Sequence, residues 1–372
     1  MHPTFHVICF CLINATLAGS LANGEEFSCL DTIEGDVDKR CMLDSNEEVA
    51  TRFPVSKALG KTNITQSEIS AQSEIFEVST RHLPDQLRSI NFDCPNVEVN
   101  QWLGNHWERS SIDTALPPAD NGMLSIIYVH GNFMERDNAL NRVRIVDNYL
   151  RSQTSRSYRL IMLSWPSQRE KKFLRDVFSN NEAAECESLY VAWMLGRLRS
   201  HSQVSLLGFS FGAKAVTGGL HLDAGGTLPG YARVPFEPNN KMHLYRLGLV
   251  APAVDRQWLQ TNGRHHLAFA NVDGVVNLYN SRDPVLRRFR FLDRLSQPIA
   301  AGFAGIETAF TPRITSPLAG QSAIRQYDCG TVIGTTHSEK SYYGECPYFR
   351  TLIRHVLWED TGTNQSNACV LQ

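Results

Sequence analysis

The stretch Val204-Ser205-Leu206-Leu207-Gly208-Phe209-Ser210-Phe211-Gly212-Ala213-Lys214-Ala215 constrains this chain more than any other. β-compatible residues run directly into Gly-x-Ser-x-Gly and small residues follow at once, which predicts a buried strand, a sharp turn and the start of a helix. This is the pattern of a nucleophile elbow. A serine at such a turn is held in a strained conformation that lifts its hydroxyl above the sheet. The neighbouring chain passes so closely that flanking side chains would collide, and Gly208 and Gly212 meet that need. Gly-x-Ser-x-Gly also arises by chance in flexible loops. Here the strand before it and the Gly-Ala-Lys-Ala helix start after it supply the context the motif requires.

Buried strands and helices alternate around this stretch. Leu124 to Val129 and Leu160 to Trp165 are nearly continuous apolar runs, as expected of strands covered on both faces. A helical pattern runs from Asn138 to Leu150, and Asn181 to Arg199 suits a largely buried helix. Downstream, Leu244 to Val250, Gly274 to Tyr279 and Ile324 to Gly330 predict further strands. Tyr348 to Trp358 predicts a terminal helix with Phe349, Leu352, Ile353, Val356 and Leu357 on one face. Ile75 to Thr80 and Val97 to Trp102 alternate, which predicts a half-exposed antiparallel edge. The alternation implies an α/β chain with a mostly parallel central sheet and helices on both faces, ligands sitting at the carboxyl ends of the strands. Only about 20 residues separate the strands ending at Val250 and beginning at Gly274, so a large lid domain does not fit there.

A serine hydroxyl is a weak nucleophile and needs a base within hydrogen-bond reach, itself oriented by a carboxylate. On a sheet of this kind the order along the chain is serine, acid, histidine. Past the acid candidates the histidines are His337 and His355. His355 falls opposite the apolar stripe of its helix, which predicts a solvated side chain. His337 follows the last strand in a Gly/Thr loop, where the base belongs. Asp283 ends the penultimate strand and Asp255 the one before, and Asp283 is the preferred acid. A developing oxyanion needs two preorganised donors. The backbone N–H groups of Phe211, after the serine, and of Asn132, after His130-Gly131, are the candidates.

The ends of the chain carry different signals. Met1 to Ala22 has the short apolar run and the small-x-small pattern, Ser20-Leu21-Ala22, of an export signal. This predicts a secreted or periplasmic protein with no stable membrane insertion after cleavage. Residues 23–73 are polar and aperiodic and read as a disordered linker or arm, followed by a domain over 74–360 and a tail over 361–372. Seven cysteines lie beyond the leader, with no Cys-x-x-Cys pair to suggest structural zinc. Cys329 and Cys346 bracket His337, and a bridge between them would restrict the base. Asn63 and Asn364 begin glycosylation sequons. The formal net charge of −2 over 372 residues gives no overall basic field for nucleic acid or an anionic membrane.

Residues 124–357 resemble the α/β-hydrolase superfamily and, more narrowly, a mostly bacterial family of uncharacterised α/β hydrolases. The narrower likeness rests on the His130-Gly131 loop, Leu163-Ser164-Trp165-Pro166-Ser167, Ala251-Pro252, and His337 followed by Tyr342-Tyr343. The family has His-Ser-Met more often where this chain has Phe209-Ser210-Phe211. The resemblance implies a serine, acid and histidine at Ser210, Asp283 and His337, acting as an esterase-like hydrolase on a small-molecule acyl substrate without a cofactor. It implies no particular substrate. A metallohydrolase is disfavoured because His-Glu-x-x-His does not occur, and an NTPase because no phosphate-binding Gly-x-x-x-x-Gly-Lys-Ser/Thr loop does. A haloalkane-type hydrolase would need Asp at the nucleophile position, where this chain has Ser210. The rival that stays open is a non-catalytic protein of the same fold that only binds.

Overall fold

The computed structural model describes residues 73–84, 87–168, 173–238, 245–310 and 323–359. The expected leader, the arm up to residue 72, the tail and both sequons lie outside the described residues.

The apolar runs become the middle of one sheet. Its strands are β1 Ser73–Ser79, β2 Glu98–Trp102, β3 Trp107–Arg109, β4 Leu124–Val129, β5 Tyr158–Ser164, β6 Val204–Phe209, β7 Tyr245–Val250, β8 Val272–Tyr279 and β9 Ile324–Asp328. They lie in the order β3-β2-β1-β5-β4-β6-β7-β8-β9. Every pairing from β1 to β9 is parallel, and antiparallel pairing is confined to the β1–β2 and β2–β3 edge. Strands β4, β5, β6 and β7 are buried along their whole length, as their largely apolar sequences favour.

Five helices matter for the site: α1 Arg136–Arg151, α2 Phe173–Arg197, α3 Phe211–Asp223, α4 Glu339–Gly344 and α5 Phe349–Val356. They cover both faces. Along β6, Ser205 hydroxyl donates to the Val356 carbonyl of α5, while a Cβ on Gly208 would stand 2.7 Å from Ala213 Cα of α3. Residues an odd number apart in a strand point to opposite sides, so α5 and α3 sandwich the sheet. Tyr149 of α1 packs on Tyr343 and Phe349, which puts α1 on the α5 side. On the other side α2 and α3 approach so closely that a Cβ on Gly218 would overlap Ser188, and one on Gly219 would overlap Val191. The connection from β7 to β8, residues 251–271, holds a single 3-10 turn, Arg256–Leu259, and no inserted domain. This is the mostly parallel, doubly covered sheet of an α/β-hydrolase-like fold.

Two expectations need correction. Strand β1 is not a half-exposed edge; it is inserted between β2 and β5, and its polar Glu77 is 0% exposed. Alternation misleads there because the polar side has partners. The Glu77 carboxylate accepts from Arg136 Nη2 at 2.6 Å and Asn100 Nδ2 at 2.9 Å, and on the opposite face Thr80 hydroxyl donates to Glu187. Likewise His355 is not solvated but 1% exposed. Its Nε2 donates to the Gly274 carbonyl at 2.9 Å, which leaves Nδ1 to accept from Arg325 Nη2. Outside the apolar stripe of α5, strands β8 and β9 supply polar partners that bury the imidazole.

Buried neutral histidines give the fold a pH dependence. Burial pushes His130 and His265 well below the usual imidazole range and takes His221 down to about 4. In the unfolded chain each titrates near 6.5. From 6.5 down to about 4 the unfolded chain therefore binds protons that the native state refuses, so stability present above that window is lost as pH falls. Urea unfolding is expected to show a falling midpoint from about pH 7 to about pH 5, and in His221→Gln the unfolding free energy is expected to fall less steeply, by at most about 1.4 kcal/mol per pH unit. A midpoint independent of pH across this window contradicts the assignment.

Candidate active site

Ser210 sits between the end of β6 and the first residue of α3. Its backbone is at φ 53, ψ −121, a region that side-chain-bearing residues avoid. The turn is locked by three hydrogen bonds: Ser210 N–H donates to the Val250 carbonyl, and its own carbonyl accepts from Ala213 and Ala253 N–H. Both flanking glycines are obligatory. A Cβ on Gly212 would lie 2.1 Å from the Val129 carbonyl oxygen, and one on Gly208 would lie 2.7 Å from the backbone of Ala213.

Six described non-glycine residues adopt positive φ, and three of them, Phe133, Ser210 and Ala251, lie in the segments following the neighbouring strands β4, β6 and β7. Local strain is thus gathered at the carboxyl edge of the sheet, where binding and chemistry in such folds occur.

His337 comes to the serine from the segment between β9 and α4. Its Nε2 lies 3.0 Å from Ser210 Oγ and its Nδ1 2.6 Å from Asp283 Oδ2. An ionised carboxylate can only accept, so Nδ1 carries the proton and Nε2 accepts from the serine hydroxyl. Asp283 is fully buried at the carboxyl end of β8, and its other oxygen accepts from the N–H groups of Val285 and Leu286. The two oxygens are thereby separated in role. One holds the helical turn Pro284–Arg287 and the other holds the imidazole. Asp255 is elsewhere: it caps the turn after β7, accepting from Gln257 N–H, and makes no bond to His337. Burial raises its carboxyl above the usual range.

The loop 130–134 runs beside the nucleophile. A Cβ on Gly131 would stand 3.2 Å from Ser210 Cβ and would overlap the Phe209 ring, which itself tilts against His337. Asn132 is anchored through its side-chain oxygen, which accepts from Asn180 Nδ2 of α2 at 2.7 Å. Phe211 opens α3, so its N–H is among the first four of the helix, which have no partner within it. The chemistry available to this group of side chains is proton transfer between a hydroxyl and an imidazole, next to a backbone that can offer N–H donors.

Several positioning residues escape sequence reasoning. Asn280 is fully buried; its Nδ2 donates to the carbonyls of Gly334 and Thr336, which lashes the His337 loop to the end of β8. The bridge that the sequence suggests between Cys329 and Cys346 is formed, with 5.9 Å between their Cα atoms, enclosing His337 in a closed loop. By the loop-entropy account such a bridge stabilises by about 3 kcal/mol. Arg81, whose guanidinium burial lowers to about 10, ties the loop after β4 to the loop after β5. Its donors reach Ser164 Oγ at 2.7 Å, the Met134 carbonyl at 2.8 Å and His130 Nε2 at 3.2 Å. One helical turn past the serine, Lys214 is buried against Asn181 and Trp258, and burial brings its ammonium down to about 8, opposed by Glu185.

Glu339, two residues after His337, is the densest of these knots. Its carboxylate accepts from Tyr128 hydroxyl at 2.8 Å, from Arg142 Nη1 at 2.7 Å and from Tyr343 hydroxyl. Strand β4, helix α1 and the base-bearing segment therefore meet at one buried anion. Glu339→Ala leaves a buried guanidinium and two hydroxyls without an acceptor, and is expected to destabilise by about 3–5 kcal/mol in urea unfolding. A loss below about 1 kcal/mol, the scale of an exposed ion pair, contradicts this.

No family model matches this chain, and no curated protein does. Among solved structures it is similar to an esterase from the Planctomycetes species Thermogutta terrifontis, Est2. In the native form the identity is 9% and the TM-score 0.30, covering 65% of this chain and 80% of that one. With propionate bound the identity is 10% and the TM-score 0.26, covering 49% of this chain and 71% of that one. Likeness at that level carries no argument about chemistry, which rests on the side chains described above.

Proposed function

We propose that this protein is an exported serine hydrolase of the α/β-hydrolase superfamily that cleaves an ester or related acyl bond through an acyl-enzyme on Ser210. The observation that carries the reading is the unbroken relay Ser210 Oγ, His337 Nε2, His337 Nδ1, Asp283 Oδ2, with the serine on a strained, glycine-flanked turn. As the serine attacks the acyl carbon, His337 takes its proton, and Asp283 stabilises the imidazolium that forms. The negative charge developing on the acyl oxygen is met by the N–H groups of Phe211 and Asn132. His337 then protonates the departing alcohol, and a water activated by the same imidazole releases the acid and regenerates the serine. No cofactor takes part. The Cys329–Cys346 bridge supports maturation in an oxidising compartment, in keeping with the export signal expected over residues 1–22.

A series of p-nitrophenyl acyl esters of graded chain length, assayed beside a fluorophosphonate probe, tests the reading. Turnover of at least one ester together with stoichiometric labelling is the expected result. A folded protein that neither turns over nor labels is a binding module instead.

A further inference from the structure

The segment after the buried acid is unlike the rest of the surface. Residues 284–299 hold four arginines and one acid, Asp293, a formal charge of +3 within a chain whose total is −2. The segment is pinned at both ends: Leu286 and Phe289 are buried at its start, Pro298 and Ala300 at its finish, and Arg256 N–H donates to the Ile299 carbonyl. Between these anchors the chain turns outward. Asp293 spends its oxygens on the turn itself, accepting from Leu295 N–H, Ser296 N–H and Ser296 hydroxyl. That turn presents Leu295 at 97% exposure, flanked by Phe291 at 42% and Ile299 at 40%. Arg287, Arg290 and Arg294 are exposed around them, with the Arg290 guanidinium over the Phe291 ring.

We propose that this turn docks the protein on an anionic lipid surface, with Leu295, Phe291 and Ile299 entering the acyl boundary and Arg287, Arg290 and Arg294 meeting the headgroups. Apolar side chains held outward on an ordered turn lower their free energy by leaving water, and surrounding arginines favour a surface of negative charge. A nucleic acid would use the arginines but leave Leu295 and Ile299 in water, which favours the lipid. The turn also frames the site. Ala300 pairs with Asp255, and a Cβ on Gly302 would overlap Ala251 and Pro252, the residues that follow β7 beside Ser210. Docking here would bring the carboxyl edge of the sheet to the membrane, so that, resting on the hydrolase reading above, the acyl substrate would be drawn from a lipid surface. The near-neutral charge of the whole chain conceals this local field.

The test is co-sedimentation of the full chain with phosphatidylcholine vesicles, with and without about a third phosphatidylglycerol, at low salt. Binding to the anionic vesicles alone is expected. The variant R287Q/R290Q/R294Q is expected to weaken it by about 10²-fold, near fivefold per arginine, and L295S to weaken it further. All four positions are exposed, so folding and turnover of a short soluble ester should be unchanged. Equal sedimentation with both vesicle types, unimpaired binding by the triple variant, or equally tight binding of duplex DNA that L295S leaves intact, each overturns the proposal. The same assay on Ser210→Ala separates the two readings. Retained vesicle binding without any turnover in the wild type would remove the hydrolase and leave the docking, while turnover without vesicle binding would do the reverse.

Discussion

Ser210→Ala is expected to abolish fluorophosphonate labelling and to lower ester turnover by about 10⁶. The probe transfers phosphorus to the attacking oxygen with loss of fluoride, so it reports the nucleophile itself and not merely a pocket. Other serines of the described chain lack the combination of a strained turn and an imidazole at 3.0 Å. Alanine removes only the hydroxyl; the positive-φ turn, Gly208 and Gly212 persist, so the variant should fold and its silence should be chemical. Labelling that survives the substitution would assign the nucleophile to another residue.

The second large effect belongs to the acid. Asp283→Asn keeps the shape of the side chain and an oxygen for the N–H groups of Val285 and Leu286, yet turns an amide NH₂ or a neutral carbonyl toward His337 Nδ1. The proton then sits on the wrong nitrogen, or the imidazolium loses its counter-charge. Turnover is expected to fall by roughly 10³ to 10⁴ with the circular dichroism spectrum unchanged. Asp255→Asn retains the oxygen that caps its 3-10 turn and touches no part of the relay, so it should cost less than about tenfold. If Asp255→Asn is the inactive variant and Asp283→Asn keeps its rate, the assignment of the acid is reversed.

What could be read from the amino acids alone was local or ordered along the chain. Gly208, Ser210 and Gly212 announce a turn because each requirement falls within five residues, and the placement of Asp283 and His337 follows from which strand each one ends. The structure sets these three side chains within hydrogen-bond reach. Asn280, Glu339 and Arg81 stayed invisible because their meaning lies in partners 49 to 211 positions away, at neighbouring strand ends. The burial of Glu77 and His355 escapes sequence reading for a related reason. Periodicity shows which side of an element is apolar, but whether the polar side meets water depends on what packs there, and here Arg136, Asn100, Gly274 and Arg325 do.

The lashing of the His337 loop by Asn280 has a mechanical meaning. Asp283 follows the end of β8, and Asn280, three residues earlier, grips the loop that carries the imidazole, so acid and base ride on one carriage. Ser210 rides on another, two strands away, joined to the first by β7, which bonds to Ser210 through the Val250 carbonyl and hands on to β8 through Ala251 N–H, and by Glu339, which ties the segment after His337 to Tyr128 of β4. A substitution within β7 is therefore expected to change the gap from Ser210 Oγ to His337 Nε2 before it disturbs the bond from His337 to Asp283.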